Sequence, residues 1–549
     1  MTRIVDRRCF LGVTAAAGLL GAAFLEAPLF IPPPPLTDLP AADSGLALPD
    51  DAPVLRTDGL PEPPFLLGIA SGDPAPDGMV LWTRLATEPL DVDGGIPARD
   101  IPVQWQVASD EAMTKVVANG TTLARPGLAH SVHVQVRGLE PGRWWFYRFR
   151  VQAAAAGAGR GWVTSPVGRT RTIPAAGSRA SRLRFAFASC QDWQAGYWPA
   201  WKHLADEDLD LVVHLGDYIY EGARRRFGVV RRHEGPEPTG LDGYRVRHAL
   251  YKTDPAIQAA HRAYPFVCTW DDHDLQQNYA ADTPVDPEIE AIFPARRAAA
   301  YQAFWEHLPL PPSARPRGTR AAMSRRIGWG DLAAFHVLDT RQQRTDQPCG
   351  GELERRCAEA FNPDAELLGA AQERWLRDGL DRSKARWNII AQQVAMTQIR
   401  VASPFGDLFN MDQWDGYVAA RDRLFSFLDE RRPSNPVVIT GDLHSSWVSD
   451  LKLDFADPDS PTVATEFVGT SISSVPPRTL ARSAELLLGA NPHIRYVDAT
   501  LRGYVRCEVT HDEWRADLRT VASTRRQTSP ITTSAAFVVE NGKPGAEPA

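Results

Sequence analysis

From residue 183 onward, short apolar runs alternate with longer stretches of helical periodicity, and this alternation constrains the fold more than any other feature. Strands that alternate with helices favour an α/β core. We also predict a helix with Asp364 as its N-cap, because leucine and tryptophan residues follow it at helical spacing. The apolar runs cover residues 183–188, 209–215, 265–270, 332–338, 387–394 and 436–440.

Polar, metal-competent residues follow five of these runs, at the point where each predicted strand ends. Ligands of open α/β sheets gather outside the carboxyl ends of the strands, so we expect the five segments to converge. A single aspartate after a strand is often a turn or a helix cap, whereas five such segments favour a common site. The segments are 189–192, 216–221, 271–274, 339–341 and 441–444.

The residue types in these segments indicate bound metal. Asp217, Asp272 and Asp442 offer anionic oxygens and His444 offers a nitrogen. Several carboxylates that meet without cations repel one another, so their convergence implies bound positive charge.

Tyr220 and Cys190 narrow the choice of ion. A phenol has a reference pKa near 10, so coordination of Tyr220 as a phenolate needs a strongly Lewis-acidic ion, for which ferric iron is the candidate. Cys190 as a thiolate would add a soft ligand to the same ion. Zinc would accept cysteine and histidine but gives no reason for a phenolate.

Other segments of the chain predict a division into five parts. Period-two alternation at 103–107 and 132–136 predicts a small antiparallel β-sandwich ahead of the α/β region. The proline-rich stretch before it is typical of an extended linker. The expected parts are an export signal (1–27), a linker (28–64), the β-sandwich domain (65–173), the α/β domain (183–525) and a loose C-terminal tail (526–549).

The N-terminus is typical of a Tat-type export signal, because the twin arginines Arg7 and Arg8 precede an apolar stretch. The alternative is an N-terminal membrane anchor. Beyond the N-terminal apolar stretch, no apolar run approaches the roughly 18 residues that a membrane span needs. This excludes a polytopic membrane protein. The net charge of -7 disfavours a basic nucleic-acid-binding protein.

The cysteines do not form a disulfide scaffold. Cys349 and Cys357 bracket a short loop and would pair in an oxidising compartment, the alternative being two free thiols. Cys268 and Cys507 lie in apolar runs, which favours core positions.

The ordered motifs resemble those of the PhoD-type alkaline phosphatases, in the wider set of calcineurin-like metallophosphoesterases and purple acid phosphatases. The matching strings are Phe-Ala-Ser-Cys-Gln-Asp at 187–192, His-Leu-Gly-Asp-Tyr-Ile-Tyr-Glu at 214–221, Thr-Trp-Asp-Asp-His-Asp at 269–274 with Asn278, Leu-Asp-Thr-Arg at 338–341, Gly-Asp-Leu-His-Ser at 441–445 and Glu-Phe-Val-Gly-Thr-Ser at 466–471. The resemblance implies a metallophosphoesterase β-sandwich flanked by helices, preceded by a small all-β, fibronectin III-like domain.

The resemblance also implies a secreted phosphatase that acts on phosphomonoesters and phosphodiesters in phosphate acquisition, with Fe(3+) and Ca(2+) as cofactors. Asp217 would bridge the two ions. Gln277 departs from relatives that often have asparagine there, but Asn278 remains. The implied iron ligands are Cys190, Asp217, Tyr220 and His444, and the implied calcium ligands include Asp272, Asn278 and Asp442.

The implied reaction is attack of a metal-bound hydroxide on phosphorus. His273 is predicted to bind phosphate or to protonate the leaving group, the alternative being that it only orients a carboxylate. Arg341 is predicted to clamp phosphate, the alternative being a structural ion pair.

The expected partners are small phosphate esters, diesters resembling oligonucleotides or teichoic acids, and the Tat export machinery, with no stable nucleic-acid partner. The expected location is periplasmic, extracellular or at the cell surface. The alternative is that the chain is a catalytically weak cell-surface binding protein on the same scaffold. Loss of Asp217, Asp272 or His444 would have indicated this alternative, but all three residues are present.

Overall fold

The computed structural model of the chain describes residues 55–56, 64–155, 159–222, 228–477 and 484–549. The expected export signal lies outside these residues, and so does most of the expected linker. Among the described residues, no helix has the length and apolar character needed to cross a membrane.

The N-terminal region folds into strands that are mostly antiparallel, as its period-two alternation predicts. In chain order these strands are β1 (Leu55–Arg56), β2 (Ile69–Ala75), β3 (Gly78–Arg84), β4 (Ile101–Ala108), β5 (Val116–Ala124), β6 (Ser131–Val136), β7 (Trp144–Ala155), β8 (Gly159–Thr164) and β9 (Gly168–Arg171).

The region from residue 183 mixes strands and helices, and each of the six predicted apolar runs contains a strand. The strands are β10 (Leu183–Ala188), β11 (Leu211–Leu215), β12 (Pro265–Thr269), β13 (Arg325–Trp329), β14 (Ala333–Val337), β15 (Leu353–Glu354), β16 (Trp387–Ala391), β17 (Phe409–Asn410), β18 (Pro436–Thr440), β19 (Ser446–Lys452), β20 (Thr462–Val468), β21 (Ile494–Asp498), β22 (Arg502–Val509), β23 (Glu513–Val521), β24 (Ile531–Glu540) and β25 (Glu547–Pro548). The helices are α1 (Pro199–Ala205), α2 (Leu241–Lys252), α3 (Pro255–Ala263), α4 (Phe293–His307), α5 (Ala370–Arg382), α6 (Val418–Arg431) and α7 (Ala484–Ala490).

Two large sheets pack face to face in this region. One has the order β25-β24-β23-β22-β10-β11-β12-β2-β3-β6 and the other β13-β14-β16-β18-β20-β19-β21. Phe185 and Val213 of the first sheet share a buried core with Phe335 and Ile389 of the second. Helices α1–α4 pack on the outer face of the first sheet and α5 and α6 on that of the second. The predicted β-sandwich flanked by helices is confirmed.

The N-terminal sandwich shares one of its sheets with the region that follows it, which the sequence did not predict. Its first layer contains β1, β7, β4 and β5, with β8 and β9 also paired to β7. Its second layer is β2, β3 and β6, and β2 pairs in parallel with β12, Ser71 opposite Pro265. One continuous ten-stranded sheet therefore contains strands from both regions.

Two predictions of local structure are wrong. The tail at 526–549 is not loose, because β24 pairs along β23 and buries Phe537 and Val539 in the core between the sheets. Asp364 is not a helix N-cap. Helix α5 begins at Ala370, and its N-cap is Gly369, which has a positive φ of 74°. The Glu366 carboxylate instead accepts a hydrogen bond from the backbone N–H of Ala370.

The cysteines lie where the sequence predicts them. Cys349 and Cys357 form a disulfide. Cys268 and Cys507 are buried free thiols in β12 and β22.

Candidate metal centre

The predicted ligands lie in loops that leave the carboxyl ends of strands in both large sheets. Cys190 follows β10, Asp217 follows β11 and Asp272 follows β12, and these three strands are parallel neighbours. Asp442 and His444 follow β18 of the second sheet. The convergence that the sequence predicts is confirmed for these five side chains, because the facing sheets direct their loops to one edge.

The backbone at four of these ligands, all but Asp272, and at Asn278 is in the left-handed region, which is uncommon for residues other than glycine. Such strain persists only where the surrounding structure fixes it, and it concentrates at functional sites. Gly216, next to Asp217, has a φ of 105°, and a Cβ there would lie 2.3 Å from that of Asp271. The positive φ values are 60° at Cys190, 54° at Asp217, 51° at Asn278, 60° at Asp442 and 56° at His444.

The first ligand cluster, which we call the mixed-donor cluster, consists of Cys190, Asp217, Tyr220 and His444. Ligand atoms of Cys190, Asp217 and His444 lie within 4.8 Å of one another. The Tyr220 hydroxyl donates to Asp217 Oδ2 at 2.7 Å and lies 3.0 Å from His444 Nε2. A thiol, a carboxylate, a phenol and an imidazole from three loops thus surround one position.

The second cluster, which we call the carboxylate cluster, consists of Asp271, Asp272 and Asp442, whose oxygens also lie within 4.8 Å of one another. Two buried oxygens, Asp271 Oδ2 and Asp272 Oδ1, have no hydrogen-bond partner among the described residues. The Asn278 backbone N–H donates to Asp272 Oδ2 at 2.7 Å, which places Asn278 beside the cluster. Asp271 was not predicted as a ligand, although its place directly after β12 was a usable signal.

Asp217, a member of the mixed-donor cluster, also approaches the carboxylate cluster, because it offers an oxygen within 4.8 Å of ligand atoms of Asp272 and His273. This position between the clusters is the one that a bridging ligand needs.

The electrostatics of the clusters call for cations. Burial raises the pKa of Asp217 and Asp271, and neighbouring aspartates raise both further. Burial and the Asp272 carboxylate raise the pKa of Asp442 to about 7. Burial and Asp217 also raise the pKa of the Cys190 thiol and the Tyr220 phenol. Anionic forms of all five groups are favoured only with bound positive charge, so these residues fit a metal centre.

Arg341, the predicted phosphate clamp, lies in a buried ion-pair network. Its side chain is fully buried, and its Nε donates to Asp271 Oδ1 at 2.6 Å. Its two terminal nitrogens donate to the two oxygens of Asp412 at 2.8 and 2.9 Å. These contacts favour the alternative prediction, a structural ion pair, over a phosphate clamp.

Asp412 is the residue that sequence reasoning missed most completely. Besides Arg341, it accepts hydrogen bonds from Arg344 at 2.6 Å and from Gln347 at 2.7 Å. The two guanidinium groups hold its pKa well below the usual range, although burial alone would raise it. Its neighbour Gln413 donates to Asp442 Oδ2 at 2.7 Å, so the same segment also fixes the carboxylate cluster.

His273 lies beside Asp217 and Asp272, with a ligand atom of each within 4.8 Å of the others. Its ring stacks on that of Tyr220 at 4.2 Å, and Nδ1 donates to Glu221 Oε2 at 2.7 Å. Burial alone would lower the pKa of His273, but Glu221, Asp272 and Asp217 raise it well above its usual value. Glu221 therefore favours the protonated ring. Nε2, which has no hydrogen-bond partner in the described part of the chain, faces away from the Glu221 carboxylate.

The sequence and the fold match those of known proteins. The family model of the PhoD-like phosphatases matches residues 185–518, and that of the PhoD-like phosphatase N-terminal domain matches residues 52–174. The chain is 45% identical over 487 residues to alkaline phosphatase D of Bacillus subtilis (strain 168), covering 88% of this chain and 82% of that protein.

Solved structures give the same result. A structure of PhoD superposes with a TM-score of 0.84 at 43% identity, covering 89% of this chain and 92% of that one. The purple acid phosphatase PPD1 from yellow lupin (Lupinus luteus) seeds matches with a TM-score of 0.51 at 12% identity, covering 86% and 74%, which shows likeness of fold alone. This chain therefore belongs to the PhoD-like phosphatase family and is a phosphoesterase.

Proposed function

We propose that this phosphoesterase hydrolyses phosphomonoesters and phosphodiesters with ferric iron in the mixed-donor cluster and calcium in the carboxylate cluster. The observation that carries the proposal is the placement of Asp217 between two adjoining clusters of different donor chemistry. A thiol and a phenol suit a strongly Lewis-acidic ion, whereas carboxylate oxygens suit a hard divalent cation. When bound, the cations would supply the positive charge that activates water and stabilises the phosphoryl oxygens.

His273 is the proton donor of the proposed reaction. Glu221 accepts from Nδ1, so the proton that can be transferred to the leaving oxygen lies on Nε2. Glu221 is itself fixed, because its Oε1 accepts from the backbone N–H of Gln277 at 2.8 Å.

Arg341 and Asp412 have a supporting role in this proposal. Arg341 orients Asp271 and Asp412 and partly offsets their charge. Because Nε, Nη1 and Nη2 of its guanidinium group all donate to these two carboxylates, we assign Arg341 no contact with substrate. Cations held by the two clusters would bind phosphate together with His273. The proposed substrates extend from small phosphate esters to diesters such as oligonucleotides or teichoic-acid-like polymers.

We further propose that the protein is exported through the Tat pathway and acts outside the cytoplasm. Arg7 and Arg8 support export, and the Cys349–Cys357 disulfide supports an oxidising compartment.

The test is hydrolysis of p-nitrophenyl phosphate and bis(p-nitrophenyl) phosphate by the natively loaded protein, before and after chelation. We expect both substrates to be cleaved, chelation to abolish cleavage, and iron with calcium together to restore it. Full activity after complete removal of both metals would contradict the proposal, as would restoration by zinc alone.

A further inference from the structure

The turn that follows β20 places a buried hydroxyl beside the metal centre. This hydroxyl does not belong to any of the proposed ligands. Ser471, Ser473 and Ser474 of this turn are each 0% exposed. Buried hydroxyl groups need hydrogen-bond partners, so the partners of each show its role.

Ser471 and Ser473 fix the turn itself. Ser471 Oγ donates to the backbone carbonyl of Ser474 at 2.6 Å. Ser473 Oγ donates to the backbone carbonyl of Asp192 at 2.8 Å and accepts from Trp198 Nε1 at 3.1 Å. The Ser471 bond closes the turn at Ser474, whereas the Ser473 bonds connect the turn to Asp192 and Trp198.

Ser474 instead faces the mixed-donor cluster. Its Oγ lies 2.7 Å from Tyr220 Oη and 2.8 Å from the backbone carbonyl of Cys190. The single hydroxyl proton of Ser474 can serve only one of these oxygens at a time. A hydrogen bond to an anionic acceptor is roughly twice as strong as one to a neutral acceptor, so a ligated Tyr220 would draw this proton.

The other contacts of Tyr220 Oη also favour donation of the Ser474 hydroxyl proton to this oxygen. Within the described residues, its remaining side-chain partners are Asp217 and His444, at 2.7 and 3.0 Å. Both are proposed ligands of the same ion and would turn towards it. Ser474 is then the partner that stays with the phenol oxygen and donates to it.

We infer that Ser474 is a positioning residue that donates a hydrogen bond to the metal-ligating oxygen of Tyr220. The inference rests on the proposed function, because it takes Tyr220 as an iron ligand. A donated hydrogen bond withdraws electron density from the phenol oxygen, so it strengthens the Lewis acidity of the ion. It also raises the energy of the charge-transfer absorption from the phenol oxygen to iron.

The experiment compares the visible spectra and the iron affinities of the loaded wild type, Ser474→Ala and Ser473→Ala. The second variant is the matched control, because it removes a neighbouring buried serine hydroxyl that does not touch Tyr220. We expect Ser474→Ala to shift the visible band to longer wavelength and to weaken iron retention against a competing chelator by roughly 10-fold. We expect Ser473→Ala to leave the band in place.

The outcomes separate this inference from the proposed function. A coloured wild type whose band does not move in Ser474→Ala, or moves equally in Ser473→Ala, overturns the inference alone. A colourless, iron-free but active wild type overturns the iron assignment and the inference together. Ser474→Thr, which keeps the hydroxyl, should retain the wild-type band; a shift as large as that of Ser474→Ala would also overturn the inference.

Discussion

The two ligand clusters lie side by side but differ in how the protein balances their charge. The mixed-donor cluster contains neutral hydrogen-bond partners such as Ser474, and Arg247 donates to the backbone carbonyl of Tyr220 rather than to a ligand atom. The carboxylate cluster adjoins Arg341, whose Nη2 lies 3.7 Å from oxygens of both Asp272 and Asp442. Because a fixed cation already offsets part of its charge, the carboxylate cluster should hold its ion more weakly. We infer that the donor atoms of each cluster select its ion, and that the surrounding charge sets the affinity of the cluster for that ion.

Asp217→Asn should have the largest effect, because Asp217 belongs to the mixed-donor cluster and adjoins Asp272 of the carboxylate cluster. We expect activity to fall by more than about 1,000-fold and both cations to be lost, as measured by turnover and elemental analysis. Asp378→Asn, at an exposed carboxylate of α5, is the control and should behave as wild type. A metal-replete, active Asp217→Asn protein would remove the bridging assignment.

Asp412→Ala should have the next largest effect, on stability. Removing Asp412 leaves Arg341 and Arg344 buried without their main counter-charge, which costs about 3–5 kcal/mol in the free energy of unfolding. Urea denaturation measures this loss. The control is Asp378→Ala, which removes one partner of the exposed pair between Asp378 and Arg382. We expect this control variant to change the free energy of unfolding by less than about 1 kcal/mol. Equal losses in the two variants would show that the buried network does not support the site.

Asp271→Asn and Cys190→Ser should separate the clusters. Asp271→Asn should weaken calcium affinity by roughly 10- to 100-fold and leave the visible band intact. Cys190→Ser should alter the band and leave calcium affinity close to that of wild type. If both variants lost both ions to the same extent, the clusters would be a single unit.

The pH dependence of the metal-free protein is the smallest expected effect. The pKa of Asp442 is raised from 3.8 to about 7 without cations, so its contribution to stability is full below 3.8 and is lost as pH rises through 7. We expect the Tm of the chelated protein to be higher at pH 5 than at pH 8, and calcium to remove most of that difference. A chelated protein whose Tm increases from pH 5 to pH 8 would contradict the raised pKa.

The sequence predicted the strand-end ligands well because one local rule governs them. Asp217, Asp272 and Asp442 each follow an apolar run, and the carboxyl ends of such strands meet. Asp412 has no such signal, since it pairs with Arg341 across 71 positions of sequence from an irregular segment.

Long-range pairing also explains the errors in the fold. β24 contains Thr532, Thr533 and Ser534, so its pattern is too polar to indicate a strand, and its pairing with β23 decides its structure. The pairing of β2 with β12 likewise depends on a contact between distant segments.

Diffraction from crystals of the natively loaded protein at the iron absorption edge tests the central claim most directly. We predict an iron peak surrounded by Cys190, Asp217, Tyr220 and His444, with a separate calcium density beside Asp272 and Asp442. An active crystal with no iron peak at that position, or with a single ion bound outside both clusters, would contradict the account.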